Sequence, residues 1–114
     1  MTPEQVLSQP PRVLSQTQRE FYFANGYVSV QELISKEWLR KLHRGTDDFL
    51  EQSRAIAESN DIFDVATSHS RNEPKLRRLK EPDAQHDTYW EFTKDVIADV
   101  AADLVGPDVS FHHS

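Results

Sequence analysis

Five histidines, at positions 43, 69, 86, 112 and 113, are the first residues to weigh for chemistry. A mononuclear iron site of the facial type needs two histidines and one carboxylate, with positions left open. Its local signature is a histidine followed two residues later by Asp or Glu on one strand. None of the five has that neighbour. His86 and Asp87 are adjacent, which turns their side chains apart in extended backbone. His112 and His113 are adjacent as well, so on a strand one faces in and the other out. No metal is expected on these residues. The chain has no His-Glu-x-x-His helix, no phosphate-binding glycine loop and no dinucleotide fingerprint, and it has only three glycines. No Gly-x-Ser-x-Gly elbow presents a serine nucleophile. The absence of cysteine removes thiolate nucleophiles, disulfides and Cys-zinc sites. What remains is cationic. Lys75, Arg77, Arg78 and Lys80, in KLRRLK, read as a solvated basic turn, with an anion-binding site as the functional alternative.

The elements that must position these residues are legible from caps and periodicity. Residues 1–13 read as a flexible extension, because Pro10 and Pro11 bar a helix there. Ser15 and Gln18 have capping-box spacing and open a helix over 16–25. Gly26 suits the left-handed residue that ends it. Tyr27, Val28, Ser29 and Val30 predict a short strand with Val28 and Val30 on one face. Ser35 caps a second helix, with Glu37 in its first turn. Its apolar positions are Trp38, Leu39, Leu42, Phe49, Leu50 and Ile56. Gly45 predicts a bend or break in the middle, and the helix should fade near Ser59 and Asn60. Ile62, Phe63 and Val65 predict a strand or a tucked loop, and SHSRNEP a turn. Thr88 and Glu91 predict a capped last helix with a stripe of Tyr89, Phe92, Val96, Ile97, Val100, Leu104 and Val105. Gly106 and Pro107 stop it. Alternation over 109–114 predicts the start of a further strand. Tyr22, Phe23 and Tyr27, like Tyr89, Trp90 and Phe92, read as packing residues rather than pocket walls.

The bounds fit one domain at most. Charged residues are 28% and aromatics 10% of the 114, so a core is expected beneath a polar surface. The net charge of −6 argues against a nucleic-acid partner. No apolar run approaches the ~20 residues of a membrane span. The N-terminus lacks the basic start and apolar stretch of a secretion signal, so a soluble, cytoplasmic chain is expected.

LSQTQREFYFANGYVSVQELISKEWLRKL resembles the N-terminal signature of the phytanoyl-CoA dioxygenase family. The matching features are the Leu-Ser cap, Gln18 and Phe21 on the helix, Gly26-Tyr27-Val28, Leu33-Ile34-Ser35, and Leu39 and Leu42 on the second helix. PKLRRL, the helix from Thr88 and the closing VGPDVSFHHS are similar too, so the resemblance covers residues 14–114. It implies an α+β chain, the helix-rich N-terminal part of a double-stranded β-helix (jelly-roll) oxygenase. It also implies iron(II) and 2-oxoglutarate as cofactors of the full-length enzyme, which would hydroxylate an aliphatic carbon of a small organic or acyl substrate. The family's His-x-Asp and distal histidine would lie after Ser114, so this chain is expected to be a truncated portion, inactive alone and without bound cofactor. Lys75 occupies the place of a family lysine that reaches 2-oxoglutarate, with Arg77 as runner-up. An exposed sheet edge is expected to allow self-association. The alternative reading is a self-contained acidic helical interaction module without catalysis.

Overall fold

The computed structural model describes residues 1–112. In order, its elements are α1 (Pro3–Leu7), α2 (Gln16–Asn25), α3 (Lys36–Ser53), β1 (Phe63–Val65), β2 (Leu76–Leu79), α4 (Pro82–Gln85), α5 (Asp87–Thr93) and α6 (Val96–Val105). The described residues thus form a helix-rich α+β chain with one two-stranded sheet. They divide into two compact units. The first joins Met1–Ile34 to Phe92–His112, and the second is Ser35–Glu91.

In the first unit, residues 1–13 carry a helix where a loose extension was expected. Pro3 sits at the start of α1, where its missing N–H costs nothing, and Thr2 and Gln5 cap each other. Val6 from this helix is buried. α2 runs as its signals dictate. The Ser15 hydroxyl accepts from the Gln18 N–H at 3.1 Å, and the Gln18 side chain accepts from the Ser15 N–H at 2.9 Å. Gly26 ends the helix at φ 82°, donating to the Tyr22 carbonyl at 2.7 Å.

Residues 27–30 do not form the expected strand. The alternation itself survives, with Val28 and Val30 half-buried and Tyr27 and Ser29 exposed. What is lacking is a ladder partner, and the local pattern specifies a face without specifying a neighbour. Tyr27 was expected in the core. It is 62% exposed, and its ring meets Phe21 edge-on at 5.4 Å.

The single helix expected from Thr88 is two. Asp95, with φ −90° and ψ −142°, breaks the helical path between α5 and α6. The Thr88 cap also fails, because Thr88 lies inside α5 and gives its N–H to His86 Nδ1 at 3.2 Å. Residues 109–112 form no strand and are all exposed. The last two positions of that expected strand, His113 and Ser114, lie outside the described residues.

In the second unit, the Ser35 hydroxyl accepts from the Trp38 N–H at 3.1 Å and starts α3. The helix passes through Gly45 without a break and ends at Ser53, short of the expected Ser59. Gly45 is there for closeness. A Cβ at this position would stand 3.1 Å from Tyr89 Cε2 and 3.5 Å from His86 Cε1. Tyr89 cannot easily give way, since its hydroxyl lies 2.5 Å from Thr46 Oγ1 and its ring packs 5.8 Å from Phe49. Gly45→Ala should therefore destabilise the chain by about 1 kcal/mol. Overpacking of about 1–3 kcal/mol outweighs the helix-propensity gain of about 1 kcal/mol. Urea unfolding monitored by circular dichroism checks the sign, and a more stable variant would overturn this account.

The core of this unit is Phe49, Phe63 and Val65, with Ile56, Ile62, Leu76, Leu79 and Tyr89 packed around it. β1 and β2 pair antiparallel, Phe63 with Leu79, Asp64 with Arg78 and Val65 with Leu76. Arg77 is left over as the extra residue of a bulge. That bulge is what the Leu-Arg-Arg-Leu spacing requires, because Leu76 and Leu79, three apart, would otherwise face opposite sides of a two-period strand.

Apart from Glu37 in the first turn, the charges of α3 run against its backbone dipole. Lys36, Arg40, Lys41 and Arg44 occupy its N-terminal half, and Asp47, Asp48 and Glu51 its C-terminal half. Like charges also fall four apart at 36/40, 40/44 and 47/51, each costing about 0.2–0.5 kcal/mol.

Candidate functional site

The hairpin places Lys75 at the end of the 66–75 loop, immediately before β2. The loop is held at its base by backbone bonds from Ala66 N–H to the Lys75 carbonyl and from His69 N–H to the Ala66 carbonyl, each at 2.9 Å. His69 then organises it from inside. Its Nδ1 accepts the Lys75 backbone N–H at 2.8 Å, which puts the ring proton on Nε2, where it is donated to the Ser53 carbonyl at 2.7 Å. His69 is buried, and Ser53 is completely so. A second turn within the loop is closed by Ser70 and Glu73, whose N–H donates to the Ser70 hydroxyl at 3.1 Å.

These bonds fix the Lys75 backbone and leave its side chain at the surface. Its Nζ donates to the Ser68 hydroxyl at 3.2 Å. Arg77 is exposed on the bulge and Arg78 is exposed beside it. Lys80 is committed to structure, donating to the Asn60 carbonyl at 2.6 Å. The basic run thus separates by role. Lys75, with a hydroxyl partner, and Arg77 can meet an anion, whereas Lys80 ties β2 to the turn before β1. An ammonium beside a hydroxyl offers donors of the kind a carboxylate accepts, so the pair suits one end of a dicarboxylate.

An iron ion does not fit the donors present. Among the described residues no three His, Asp or Glu side chains are grouped to hold a metal. His69 has both ring nitrogens engaged. So has His86, whose Nε2 lies 3.2 Å from Asp48 Oδ2 while Nδ1 accepts from the Thr88 N–H. The His86–Asp48 pair borders a small depression of about 340 Å³ together with Lys41, Arg44, Gly45 and Thr88. With Nδ1 taken by the backbone, this ring has no free nitrogen to act as a base towards a ligand. A larger open depression of about 640 Å³ is lined by Lys36, Leu39, Arg40, His43 and Arg44 of α3. Neither depression includes Lys75 or Arg77.

Two residues absent from the sequence-derived candidates dominate the first unit. The Asp103 carboxylate accepts three consecutive backbone N–H groups, from Arg12 at 2.7 Å and from Val13 and Leu14 at 2.8 Å each. Burial pushes this carboxyl up, but the bonds from Arg12, Leu14 and Val13 and the charge of Arg19 outweigh it and hold it below the ordinary carboxylate value. Arg19, 1% exposed, donates from Nε to the Asp103 carbonyl at 2.8 Å. Its Nη1 reaches the Gln9 carbonyl and Gln16 Oε1 at 2.9 Å, and Nη2 reaches the Val6 carbonyl. The role of both residues is architectural. A signal existed: Asp103 stands three residues after Val100 and seven after Val96, a carboxylate set into an apolar stripe.

No helix among the described residues is long and apolar enough to cross a membrane. No family model, curated protein or solved structure matches the chain.

Proposed function

We propose that this chain is the helical N-terminal part of an iron(II)- and 2-oxoglutarate-dependent dioxygenase of the phytanoyl-CoA dioxygenase type, built on a jelly-roll core. The full-length enzyme would hydroxylate an aliphatic carbon of a small organic or acyl substrate. The observation that carries the reading is the order of signals from Leu14 to Leu42: capped helix, glycine stop, alternating segment, second capped helix. The placement of Lys75 adds support. PKLRRL delivers an exposed ammonium, braced by Ser68, at the mouth of a loop anchored on a buried histidine. When bound, iron and 2-oxoglutarate supply the oxidising chemistry. The contribution assigned to these residues is electrostatic. Lys75 holds one carboxylate of the dianion, and Arg77 is the nearest second cation in sequence. Iron ligation falls to residues other than those described.

In the full-length polypeptide carrying these residues, Lys75→Ala is expected to weaken 2-oxoglutarate binding by about tenfold or more, the loss of one charge-assisted contact. Iron occupancy should stay nearly unchanged. Titration calorimetry for 2-oxoglutarate and metal analysis for iron provide the readouts. Unaltered 2-oxoglutarate affinity in both Lys75→Ala and Arg77→Ala would remove the hairpin from the site.

One observation favours a second reading, a self-contained interaction module without catalysis. The Arg19–Asp103 network closes the first unit on itself, and among the described residues no buried side-chain nitrogen or oxygen lacks a partner. A cooperative melt of the isolated chain, unmoved by 2-oxoglutarate, with no affinity for it in the full-length polypeptide, supports this reading over the first.

A further inference from the structure

The outer face of α3 carries Lys36, Arg40 and Arg44, then Asp47 and Glu51. At 3.6 residues per turn these five fall within roughly 80° of arc, and all are exposed. The order places cations at the positive end of the helix and acids at the negative end, with like charges one turn apart, so it works against the helix that bears it. Nor is it relieved within the chain. Among the described residues the side chains of Lys36, Arg40, Arg44 and Asp47 make no ion pair or hydrogen bond, although the chain has 19 acidic residues. Glu51 has an exposed contact with Arg54 at 3.0 Å. Blocks of this kind contribute little to their own helix, but they encode register against a partner.

We infer that this face binds a second copy of the chain, α3 against α3, antiparallel about a two-fold axis passing between Gly45 and Thr46. The charges are self-complementary in that arrangement, whereas an axis between His43 and Arg44 would set the Arg44 side chains of the two copies against each other. Arg40 meets Glu51 of the second copy, Arg44 meets Asp47, and both pairs share the same midpoint. The symmetry repeats them, giving four pairs from one patch, as an isologous interface requires. Antiparallel packing also sets each positive helix end beside the other's negative end. Apolar contact comes from one flank. Leu39, 44% exposed and lining the open depression on α3, comes within about 3 Å along the axis of Leu50 of the second copy. A single helix pair buries less than a standard interface, and exposed ion pairs contribute little each. The dimer is therefore weak, with a dissociation constant on the order of 100 µM, and sensitive to salt.

Sedimentation equilibrium of the 114-residue chain up to about 1 mM tests this. Dimerisation should be seen at low salt and fall by about tenfold or more in 0.5 M NaCl. Arg44→Glu and Asp47→Arg should each weaken it by at least about tenfold. The double variant R44E/D47R, which swaps the charges in place, should restore it to within about threefold. Mixed together, R40E/R44E and D47K/E51K, each monomeric alone, should form a heterodimer. Circular dichroism establishes that every variant keeps its helices. A wild-type chain monomeric at 1 mM overturns the inference, as it would if the face served an acidic peptide instead. So does association that ignores salt and the single reversals, the behaviour of pairing through the open sheet edge. Failure of the double swap to rescue overturns it as well.

Discussion

Asp103→Ala is expected to lower stability by about 3–5 kcal/mol, the range found when one member of a buried charged network is removed. The carboxylate is the acceptor for three successive N–H groups in the segment after Pro11, and alanine would leave all three without a partner. Arg19 would lose the facing charge while still bound to the backbone carbonyl of residue 103. Asp103→Asn keeps the shape but replaces one accepting oxygen with a donor that opposes these N–H groups, so it should cost about 2–3 kcal/mol. The pH dependence follows from the lowered carboxyl. A group whose folded value lies below its unfolded value of about 3.8 contributes stability above that value, and loses it as pH falls through the folded one. The gap between wild type and Asp103→Asn should therefore be full at pH 7 and narrow as pH drops below 3.8. Urea unfolding at a series of pH values measures it. Hydrogen exchange at the Arg12, Val13 and Leu14 amides localises the effect. A gap that stays constant through the acid range would show that the charge of Asp103 is not what holds this segment.

This network lies beyond the reach of local sequence signals. Ser15, Gln18, Gly26 and Ser35 act on backbone groups within four residues of themselves, so their spacing alone reveals their function. The bulge at Arg77 was implicit in the three-residue interval between Leu76 and Leu79. Residues 27–30 kept their facing pattern but acquired no ladder, because pairing depends on a distant segment. The division between α5 and α6 was hidden because apolar residues continue at helical spacing across Lys94 and Asp95. Arg19 and Asp103 are 84 positions apart, and nothing local says that they meet. The candidate site divides the same way. Lys75 was visible as a cation at the end of a turn, whereas Ser68 and His69, which hold it, carry no signal in SHSRNEP.

His69 is where stability and the proposed site meet, and its replacement separates them. His69→Phe keeps a ring of similar size in a buried position, so it tests the hydrogen bonds more than the packing. It strands the Lys75 N–H, and it leaves the buried Ser53 carbonyl only the 3.2 Å bond from the Ile56 N–H. At about 1–3 kcal/mol for the unsatisfied N–H, with a smaller loss at Ser53, the variant should be about 2–3 kcal/mol less stable. Lys75→Ala retains its backbone N–H and hence the bond to His69, so it should change stability by less than about 0.5 kcal/mol. The two variants are thus expected to differ in kind. Lys75→Ala spares the fold and removes the anion contact. His69→Phe weakens the fold, and it releases the segment that aims Lys75. Hydrogen exchange of the Lys75 amide is the direct measure, and it should accelerate by a factor of about ten or more in His69→Phe and hold in Lys75→Ala. An unchanged exchange rate in His69→Phe would mean that the loop is held by its backbone bonds at Ala66 alone, and that the buried imidazole contributes packing and nothing more.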